Sequence, residues 1–417
     1  MEAAKKFKNL SYDDKVFYGI TVSSVVLWVF VIAVMSVLAI VAVYVSELNV
    51  KELFSFINFN NFFSSLNAVS KLNPYNTQGY NASLPPLAYI ILYPFALIAG
   101  SSVPAGMTNT LRGIVSLCLF YVITLPVLCY LIFNLLKGKP KNKKFIFLIF
   151  SLISFPVLFL LLSPDFLIIA LIFLLFFINF YKSENKTLKE LSLVGLSLAA
   201  VTNIYPIFFI IILIREKRFF DCLKVLLYSL ILFFLPFLIF EGRLSNFNSF
   251  INQAVNFASH TSSNSYDVSI YNSIKMIFGF FGIDNYQLCK NISLIISLSI
   301  AALSIISTFF LSKYWKVLLS LALICITIPT VSFAFSLVFL IPSIAYFFIE
   351  EKSKLDIIFA VLFLILFSAL GFYMFINSFI IVIIQLALIL STIGAVILFI
   401  KKKLEKKIGE TVEKTTE

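Results

Sequence analysis

The sequence contains few charged side chains and a single histidine. Only 12% of its 417 residues are Asp, Glu, Lys or Arg, whereas 61% are hydrophobic. So little polar surface cannot coat a soluble globule, which excludes a soluble globular domain. Hydrophobic runs of about 20 residues recur along nearly the whole chain, and backbone groups in lipid must be hydrogen-bonded internally. We therefore predict an all-α polytopic membrane protein.

Paired cysteines, zinc-ligand spacings and ATP-binding motifs are also missing. The cysteines are scattered, mostly inside apolar runs, at Cys118, Cys129, Cys222, Cys289 and Cys325. This pattern favours buried small hydrophobic residues and implies neither disulfides nor zinc. The net charge of +12 does not indicate a nucleic-acid partner, because Lys and Arg stand in short clusters between hydrophobic spans, where they set orientation. Without an ATP motif, the energy for any chemistry must come with the substrate.

The basic clusters predict how the chain crosses the membrane. Residues 1–19 carry lysines and precede an apolar run that is too long for a signal peptide, so we expect a cytoplasmic N-terminus and a retained first helix. Placing each basic cluster inside gives about twelve transmembrane helices in residues 20–400, followed by a charged cytoplasmic tail at 401–417. The clusters are residues 137–144, 182–190, 215–224, 313–316, 350–354 and 401–407.

This orientation leaves two long loops outside the membrane, at residues 46–112 and 241–287. Residues 84–100 are apolar enough for a helix, but they are short and begin with Pro-Pro after the first leucine. If they crossed the membrane, the lysines of residues 137–144 would lie outside. We therefore predict that the first loop contains an interfacial helix here, and that the active face is extracytoplasmic.

Polar side chains of the apolar chain gather on this predicted outer side. Polar groups within the membrane are costly, so a one-sided distribution indicates a site on that side. The candidates are Glu47, Glu52, Asn58, Asn60, Lys71, Tyr75, Arg112, Asp165, Asn203, Tyr205, His260 and Asp267. They indicate a substrate site centred on the first loop.

Short motifs rich in proline and asparagine follow one another on the same side. They are Asn58-Phe59-Asn60-Asn61-Phe62, Asn73-Pro74-Tyr75, Leu84-Pro85-Pro86-Leu87, Ser163-Pro164-Asp165-Phe166, Thr202-Asn203-Ile204-Tyr205-Pro206, and Pro329-Thr330 through Leu340-Ile341-Pro342. Their order resembles the GT-C superfamily of membrane glycosyltransferases, most closely the polyprenyl-phosphate-mannose-dependent glycosyltransferase family 87. The resemblance covers about residues 1–345 and implies a GT-C-like bundle. It also implies transfer of a hexose such as mannose from a polyprenyl-phosphate donor to a lipid- or wall-linked glycan acceptor.

The resemblance implies a general base in the first loop, and there the sequence departs from the family. The family carries an Asp whose position, counted back from Pro74, falls at Asn58 or Asn60, and an amide cannot take the proton of the acceptor hydroxyl. The family's lysine in the fourth motif is likewise replaced, by Asn203. The carboxylates left as candidate bases are Asp165, Asp267, Glu52 and Glu47.

The departing phosphate needs a cation, and the resemblance assigns this role to Arg112, with Lys71 and His260 as further candidates. A guanidinium suits phosphate because it binds in a bidentate manner. The resemblance also gives substrate contacts to Asn60, Tyr75, Asn203 and Tyr205. No cofactor follows from the residues, although a divalent cation at Asp165 stays open.

Structural alternatives stand beside these roles. Asp165 follows a proline at a helix start and is suited to capping, whereas Arg112 is suited to reaching the headgroups. The asparagines at 58 and 60 fit interfacial packing, and His260 fits a solvated loop. Two other functions also stay open: a catalytically silent relative that binds or helps to move lipid-linked glycans, and a polytopic transporter.

Overall fold

A computed structural model describes residues 11–45, 59–70, 72–76, 84–100, 110–259, 267–283, 285–329, 332–368, 379–397 and 400; the side chains of residues 32–45, 60, 61, 76 and 256–259 are not part of this description. Its α-helices are α1 (Tyr12–Val45), α2 (Asn60–Val69), α3 (Pro86–Ala99), α4 (Leu111–Leu135), α5 (Lys141–Leu152), α6 (Phe155–Leu162), α7 (Leu167–Phe180), α8 (Lys186–Thr202), α9 (Ile211–Arg215), α10 (Phe219–Phe234), α11 (Asn246–Ser259), α12 (Ile270–Phe280), α13 (Tyr286–Phe310), α14 (Tyr314–Thr327), α15 (Ile341–Ile349), α16 (Ile357–Phe367) and α17 (Phe379–Ile397). Short 3₁₀ helices lie at Pro74–Asn76, Tyr205–Ile210, Leu235–Leu238, Arg243–Ser245, Ala334–Leu340 and Lys354–Asp356. The β-type pairing between described residues is one isolated bridge, from Asp267 to Phe333.

Five helical segments among the described residues are long and apolar enough to cross a membrane. They are Tyr12–Val31, Leu111–Leu135, Phe219–Leu238, Tyr286–Phe310 and Phe379–Ile397. Helices α5 and α6 form a sixth candidate that is bent by 53°, and other apolar helices are only 10–17 residues long. The chain is therefore an all-α, multi-pass membrane protein. The expected total of about twelve spans stays a prediction.

The middle of the bundle is built from helices that are apolar on every side. From Trp315 to Thr327, α14 is almost completely buried, as expected for a helix without a polar face. Helices α7 and α8 cross closely at Gly195, where an added Cβ would lie 3.0 Å from the Phe176 ring and 3.3 Å from the Phe173 carbonyl oxygen. Small residues allow such close helix crossings in membrane proteins.

Polar contacts join six segments into a closed ring at one end of the bundle. The contacts, in order, are Asp14 with Lys143, Lys137 with the Asn179 carbonyl, Lys182 with Glu216, Arg215 with the Leu311 carbonyl, Lys313 with Asp356, and Lys352 with Asp13. We call residues 12–15, 137–144, 179–190, 215–224, 311–316 and 350–356 the charged end. Five of the six predicted basic clusters meet here, while the sixth, at 401–407, lies outside the described residues. That this end faces the cytoplasm stays a prediction.

Helix α3 lies at the other end of the bundle. Its 14 residues span about 21 Å, which is too short to cross a hydrocarbon core of about 30 Å. The Phe95 carbonyl accepts a hydrogen bond from Ser116 near the start of α4 (2.8 Å), and Tyr89 packs against Phe240, beyond the far end of α10. The predicted helix within residues 84–100 is therefore present, and its position at a membrane interface stays a prediction. We call residues 72–76, 86–100, 110–113, 163–166, 203–206, 240–246, 267–270 and 332–334 the opposite end.

Candidate functional site at the opposite end

The turn between α6 and α7 presents Asp165. Its carboxylate accepts the backbone N–H of Leu167, the first residue of α7 (2.9 Å), and so bonds one of the N–H groups at the helix start, although the N-cap position itself is Phe166. The side chain is partly exposed, and burial raises the pKa of the carboxyl from its ordinary value to about 6. Its second oxygen has no hydrogen bond to a described residue. Asp165 therefore combines a hydrogen bond to the helix start with a more basic carboxylate that can still accept a proton.

Asp267 is fully buried and ties two distant segments together. One carboxylate oxygen accepts the backbone N–H groups of Ser269 (2.9 Å) and Ser332 (3.1 Å), and the Val268 N–H donates to the Ser332 carbonyl (2.6 Å). Burial raises the pKa of this carboxyl to about 6, although both backbone N–H groups oppose the shift. This geometry suits a tether between the segment before α12 and the turn after α14 better than a base that meets a diffusing acceptor.

Arg112 is exposed at the first turn of α4. Thr110 caps this helix by accepting the Gly113 N–H (3.2 Å), which fixes the backbone below the guanidinium. The Nη1 atom lies 3.9 Å from the position that a Cβ would take at Gly100, just beyond the end of α3. Arg112 makes neither an ion pair nor a hydrogen bond with any described residue. Among the described residues, none occupies its donors, which lie at the junction of α3 and α4.

Tyr75 is buried and joins the two long loops predicted at residues 46–112 and 241–287. Its hydroxyl donates to the Leu84 carbonyl (3.0 Å), and its ring lies 5.9 Å from that of Phe237, 6.0 Å from that of Phe240 and 5.7 Å from that of Phe250. Only 2% of the side chain is exposed, so the contacts it makes are packing contacts within the chain. Its expected contact with substrate stays a prediction.

Asn203 and Tyr205 form the turn after α8. The Asn203 side-chain oxygen accepts the Tyr205 backbone N–H (3.3 Å), and the Tyr205 carbonyl accepts a contact from the Cys325 thiol at 3.2 Å. Both side chains are partly exposed. The turn is thereby attached to α14, and its asparagine supplies no cation where the resembled family has lysine.

Several predicted site residues lie outside the described part of the chain: Glu47, Glu52, Asn58, Lys71 and His260. Asn60 begins α2, but its side chain is also outside the description. The structure brings Arg112, Asp165 and Asp267 to the same end of the bundle. Among the described residues, no hydrogen bond or ion pair joins any two of these three side chains.

Comparison with known families decides the class of the chain. The sequence profile of Glycosyltransferase family 87 matches residues 84–340, which is more than half of the 417 residues. The chain belongs to glycosyltransferase family 87. No curated protein matches the sequence.

Membership of family 87 confirms the resemblance and makes the chain a membrane glycosyltransferase by class. The matched region contains five of the predicted site residues at the opposite end, namely Arg112, Asp165, Asn203, Tyr205 and Asp267. It starts after Tyr75 and after the departure from the family pattern at Asn58. The resemblance of residues 1–83 therefore stays a prediction.

The described residues do not provide the further ligands that a divalent cation at Asp165 would need. No group of three or more His, Cys, Asp or Glu side chains among the described residues could hold a metal ion. A single carboxylate does not satisfy a hard cation, which takes six or more oxygen ligands. We derive no chemical step through a metal.

Glu241 is a candidate that the sequence reasoning overlooked. It follows the membrane-spanning segment Phe219–Leu238 at the opposite end and is exposed. Its N–H donates to the Leu72 carbonyl (3.1 Å), and its carboxylate lies 3.4 Å from the Asn73 side-chain nitrogen, beside the Asn-Pro-Tyr motif. The same one-sided placement of polar residues could have identified it. Glu241 is an accessible carboxylate next to the first loop, which Asp267 is not.

Proposed function

We propose that this family-87 chain transfers a hexose, mannose or one like it, from a polyprenyl-phosphate donor to a lipid- or wall-linked glycan acceptor on the extracytoplasmic side of the membrane. The observation that carries the proposal is the exposed guanidinium of Arg112, which has no partner among the described residues and lies within the family-matched region. A free guanidinium at the end of a membrane bundle is suited to a phosphate carried by a lipid.

The proposed reaction is a direct displacement at the anomeric carbon. The acceptor oxygen attacks this carbon, and the bond from the carbon to the phosphate oxygen breaks with its electron pair passing to the phosphate. The acceptor proton passes to a carboxylate, and the configuration at the carbon inverts. Arg112 stabilises the charge that develops on the departing phosphate.

Asp165 and Glu241 are the described residues best suited to take the acceptor proton. Asp165 has the raised pKa of a better base, while Glu241 has the greater exposure and lies next to the first loop. Asp267 is buried against two backbone N–H groups, so we assign it to positioning the second outer loop.

The proposal includes the topology of about twelve spans with both termini in the cytoplasm. The closed ring of lysine-rich turns supports it, because clusters that the positive-inside rule places on one side do meet at one end. The opposite end, with Arg112, would then face the outside, where lipid-linked sugars are transferred.

A second candidate is a catalytically silent relative that binds lipid-linked glycans. Two observations favour it: the amide at Asn58, where the resembled family has a base, and the use of both Asp165 and Asp267 to bond backbone N–H groups. Such a protein would bind the polyprenyl-phosphate sugar without breaking its anomeric bond.

The test is turnover of polyprenyl-phosphate mannose by the purified full-length protein in vesicles made from the total lipids of the source membrane, which supply the lipid-linked acceptor. Turnover is measured as polyprenyl phosphate released together with mannose transferred to lipid. We expect Arg112→Ala to lower turnover about 100-fold, because a preorganised donor to the developing charge is lost. Arg112→Lys should recover part of this loss, since it keeps the charge but not the bidentate geometry.

Arg243→Ala is the matched control, because Arg243 is also exposed at the opposite end and makes no ion pair with a described residue. Its turnover should stay within about twofold of the unmodified protein, as for an exposed side chain without an ion pair to a described residue. Full turnover by Arg112→Ala would overturn the proposal. Donor binding without turnover by the unmodified protein would establish the silent alternative.

A further inference from the structure

The turn between α4 and α5 carries an unusual excess of positive charge. Residues 137–144, which we call the lysine turn, contain five lysines and no acidic residue. The turn has a defined shape: Gly138 adopts φ +73°, and the N–H groups of Lys137 and Lys139 donate to the Leu135 and Leu136 carbonyls (2.9 and 3.3 Å). The lysines are thus held on an ordered turn between two helices.

Other basic clusters of the charged end are neutralised within the chain. Lys182 lies 2.7 Å from Glu216, and Lys224 lies 2.8 Å from Glu190. The clusters at residues 182–190 and 215–224 each contain two acidic residues. The charge of these clusters is therefore partly used in holding helices together.

The lysine turn lacks this internal neutralisation. Lys143 pairs with Asp14, and Lys137 donates to the Asn179 carbonyl. The other three lysines make no ion pair with a described residue; they are Lys139, Lys141 and Lys144. Three positive charges on one ordered turn are therefore available to an external anion.

Exposed apolar side chains next to the turn indicate which anion this is. Phe145 is 57% exposed, Ile149 is 40% exposed and Tyr130 is 58% exposed, all on the adjoining helices α4 and α5. The Lys144 ammonium lies 5.4 Å from the centre of the Phe133 ring. Exposed apolar side chains of a membrane helix face lipid tails, so lysines just beyond them lie at the level of the headgroups.

We propose that the lysine turn is a binding site for the headgroup of an anionic phospholipid in the leaflet at the charged end. Lys139, Lys141 and Lys144 contact the headgroup phosphate and its neighbours, and the acyl chains lie along Phe145 and Ile149. A cluster of lysines directly beside a transmembrane helix has the charge and the position for this role. The site is separate from the transferase site, which we place at the opposite end.

The experiment measures lipid retained by purified, delipidated full-length protein in detergent. Short-chain phosphatidylglycerol and phosphatidylcholine are titrated separately, and bound lipid is counted by native mass spectrometry. We expect phosphatidylglycerol to bind at least about tenfold more tightly than phosphatidylcholine, with binding weakened by added salt. The triple variant Lys139→Gln, Lys141→Gln, Lys144→Gln should lose most of this preference.

The matched control is Lys186→Gln, Lys217→Gln, Lys354→Gln, which removes the same charge from exposed lysines elsewhere at the charged end. It should keep the preference for phosphatidylglycerol. Equal loss in both triple variants would show a general charge effect and overturn the site. An unmodified protein that does not distinguish the two lipids would also overturn it, because the lysines would then serve only orientation.

Discussion

The charged end and the opposite end of the bundle are held together by different interactions. At the charged end, four ion pairs and two hydrogen bonds from Lys137 and Arg215 to backbone carbonyls connect successive segments around a closed ring. At the opposite end, no ion pair joins two described residues, and the connections are mainly aromatic contacts and hydrogen bonds to backbone groups, with one hydrogen bond between the Asn73 and Glu241 side chains. Tyr75 and Asp267 are the clearest examples.

This difference leaves the charges of the opposite end available for a ligand. Arg112, Asp165 and Glu241 are each at least partly exposed, and none forms an ion pair with a described residue. Exposed ion pairs contribute little to stability, so an end held by packing loses little by leaving its charges unpaired. In the reaction that we propose, these charges serve the phosphate of the donor and the acceptor hydroxyl.

The largest effect should come from removing the aromatic anchor of the opposite end. Tyr75→Ala should destabilise the protein by about 3 to 4 kcal/mol, because a buried ring is deleted from the aromatic cluster that it forms with Phe237 and Phe250. The measurement is thermal unfolding of the purified protein in detergent.

Tyr75→Phe is the matched control and should cost only about 1 kcal/mol, through loss of the hydrogen bond to the Leu84 carbonyl. Raising the salt concentration should not change the stability difference between either Tyr75 variant and the unmodified protein, since no charge is involved. A small effect of Tyr75→Ala would mean that packing does not hold this end.

The gathering of the lysine-rich turns at one end of the bundle could be predicted from the sequence, because it follows from local composition. Lysines between apolar runs predicted which turns lie together, and the ring through Lys143, Lys182 and Lys313 shows five of these clusters at one end. The short helix within residues 84–100 was also predicted, from its length and its Pro-Pro start. Both are properties of neighbouring residues.

The roles of individual polar residues at the opposite end could not be predicted in the same way. Asp267 bonds Ser332, 65 residues away, and Asn73 contacts Glu241, 168 residues away. These contacts depend on which distant segments of the chain pack together. Neither hydrophobic periodicity nor charge clusters in the sequence indicate that packing. The sequence alone therefore could not show that Asp267 bonds two backbone N–H groups, or that the Glu241 carboxylate lies beside Asn73.

The next effect tests the charged end. Asp356 is fully buried, and its carboxylate pairs with Lys313 and with Lys316 (3.1 Å) while accepting the Ser353 N–H (2.8 Å). Asp356→Asn should lower the free energy of unfolding by about 2 to 3 kcal/mol, measured by thermal unfolding. This is somewhat less than the loss expected on breaking a fully buried ion pair, because both lysines are partly exposed.

The control for Asp356 is Glu351→Gln, an exposed carboxylate with no ion pair to a described residue, which should change stability by less than about 0.5 kcal/mol. High salt should reduce the Asp356→Asn difference, in contrast to the salt-independent effect at Tyr75. Equal effects of Asp356→Asn and Glu351→Gln would contradict a charged end that depends on specific pairs.

The smallest effect distinguishes the two ends by the sign of their pH dependence. Burial raises the folded pKa of Asp267 to about 6, above an unfolded value of about 3.9, so the folded protein binds more protons between these values. Its contribution is greatest at low pH and falls as the pH rises through about 6. Burial alone would raise the pKa of Asp356, but the bonds from Lys313 and Ser353 lower its folded pKa to about 2. The Asp356 carboxylate therefore contributes its full stability above about pH 4, and this stability is lost only as the pH falls through about 2.

Unfolding of Asp267→Asn and Asp356→Asn at about pH 5 and about pH 7 therefore sharpens the comparison. The asparagine at 267 can still accept both backbone N–H groups but does not titrate, so this variant should gain about 1 kcal/mol relative to the unmodified protein as the pH rises over this interval. The difference caused by Asp356→Asn should stay constant over the same interval, because its carboxylate is ionised in both states. A pH-independent difference for Asp267→Asn would show that the Asp267 carboxylate is ionised at both pH values. Both ends would then hold a buried, ionised carboxylate. They would differ only in what bonds it, which is backbone N–H groups at Asp267 and lysines at Asp356.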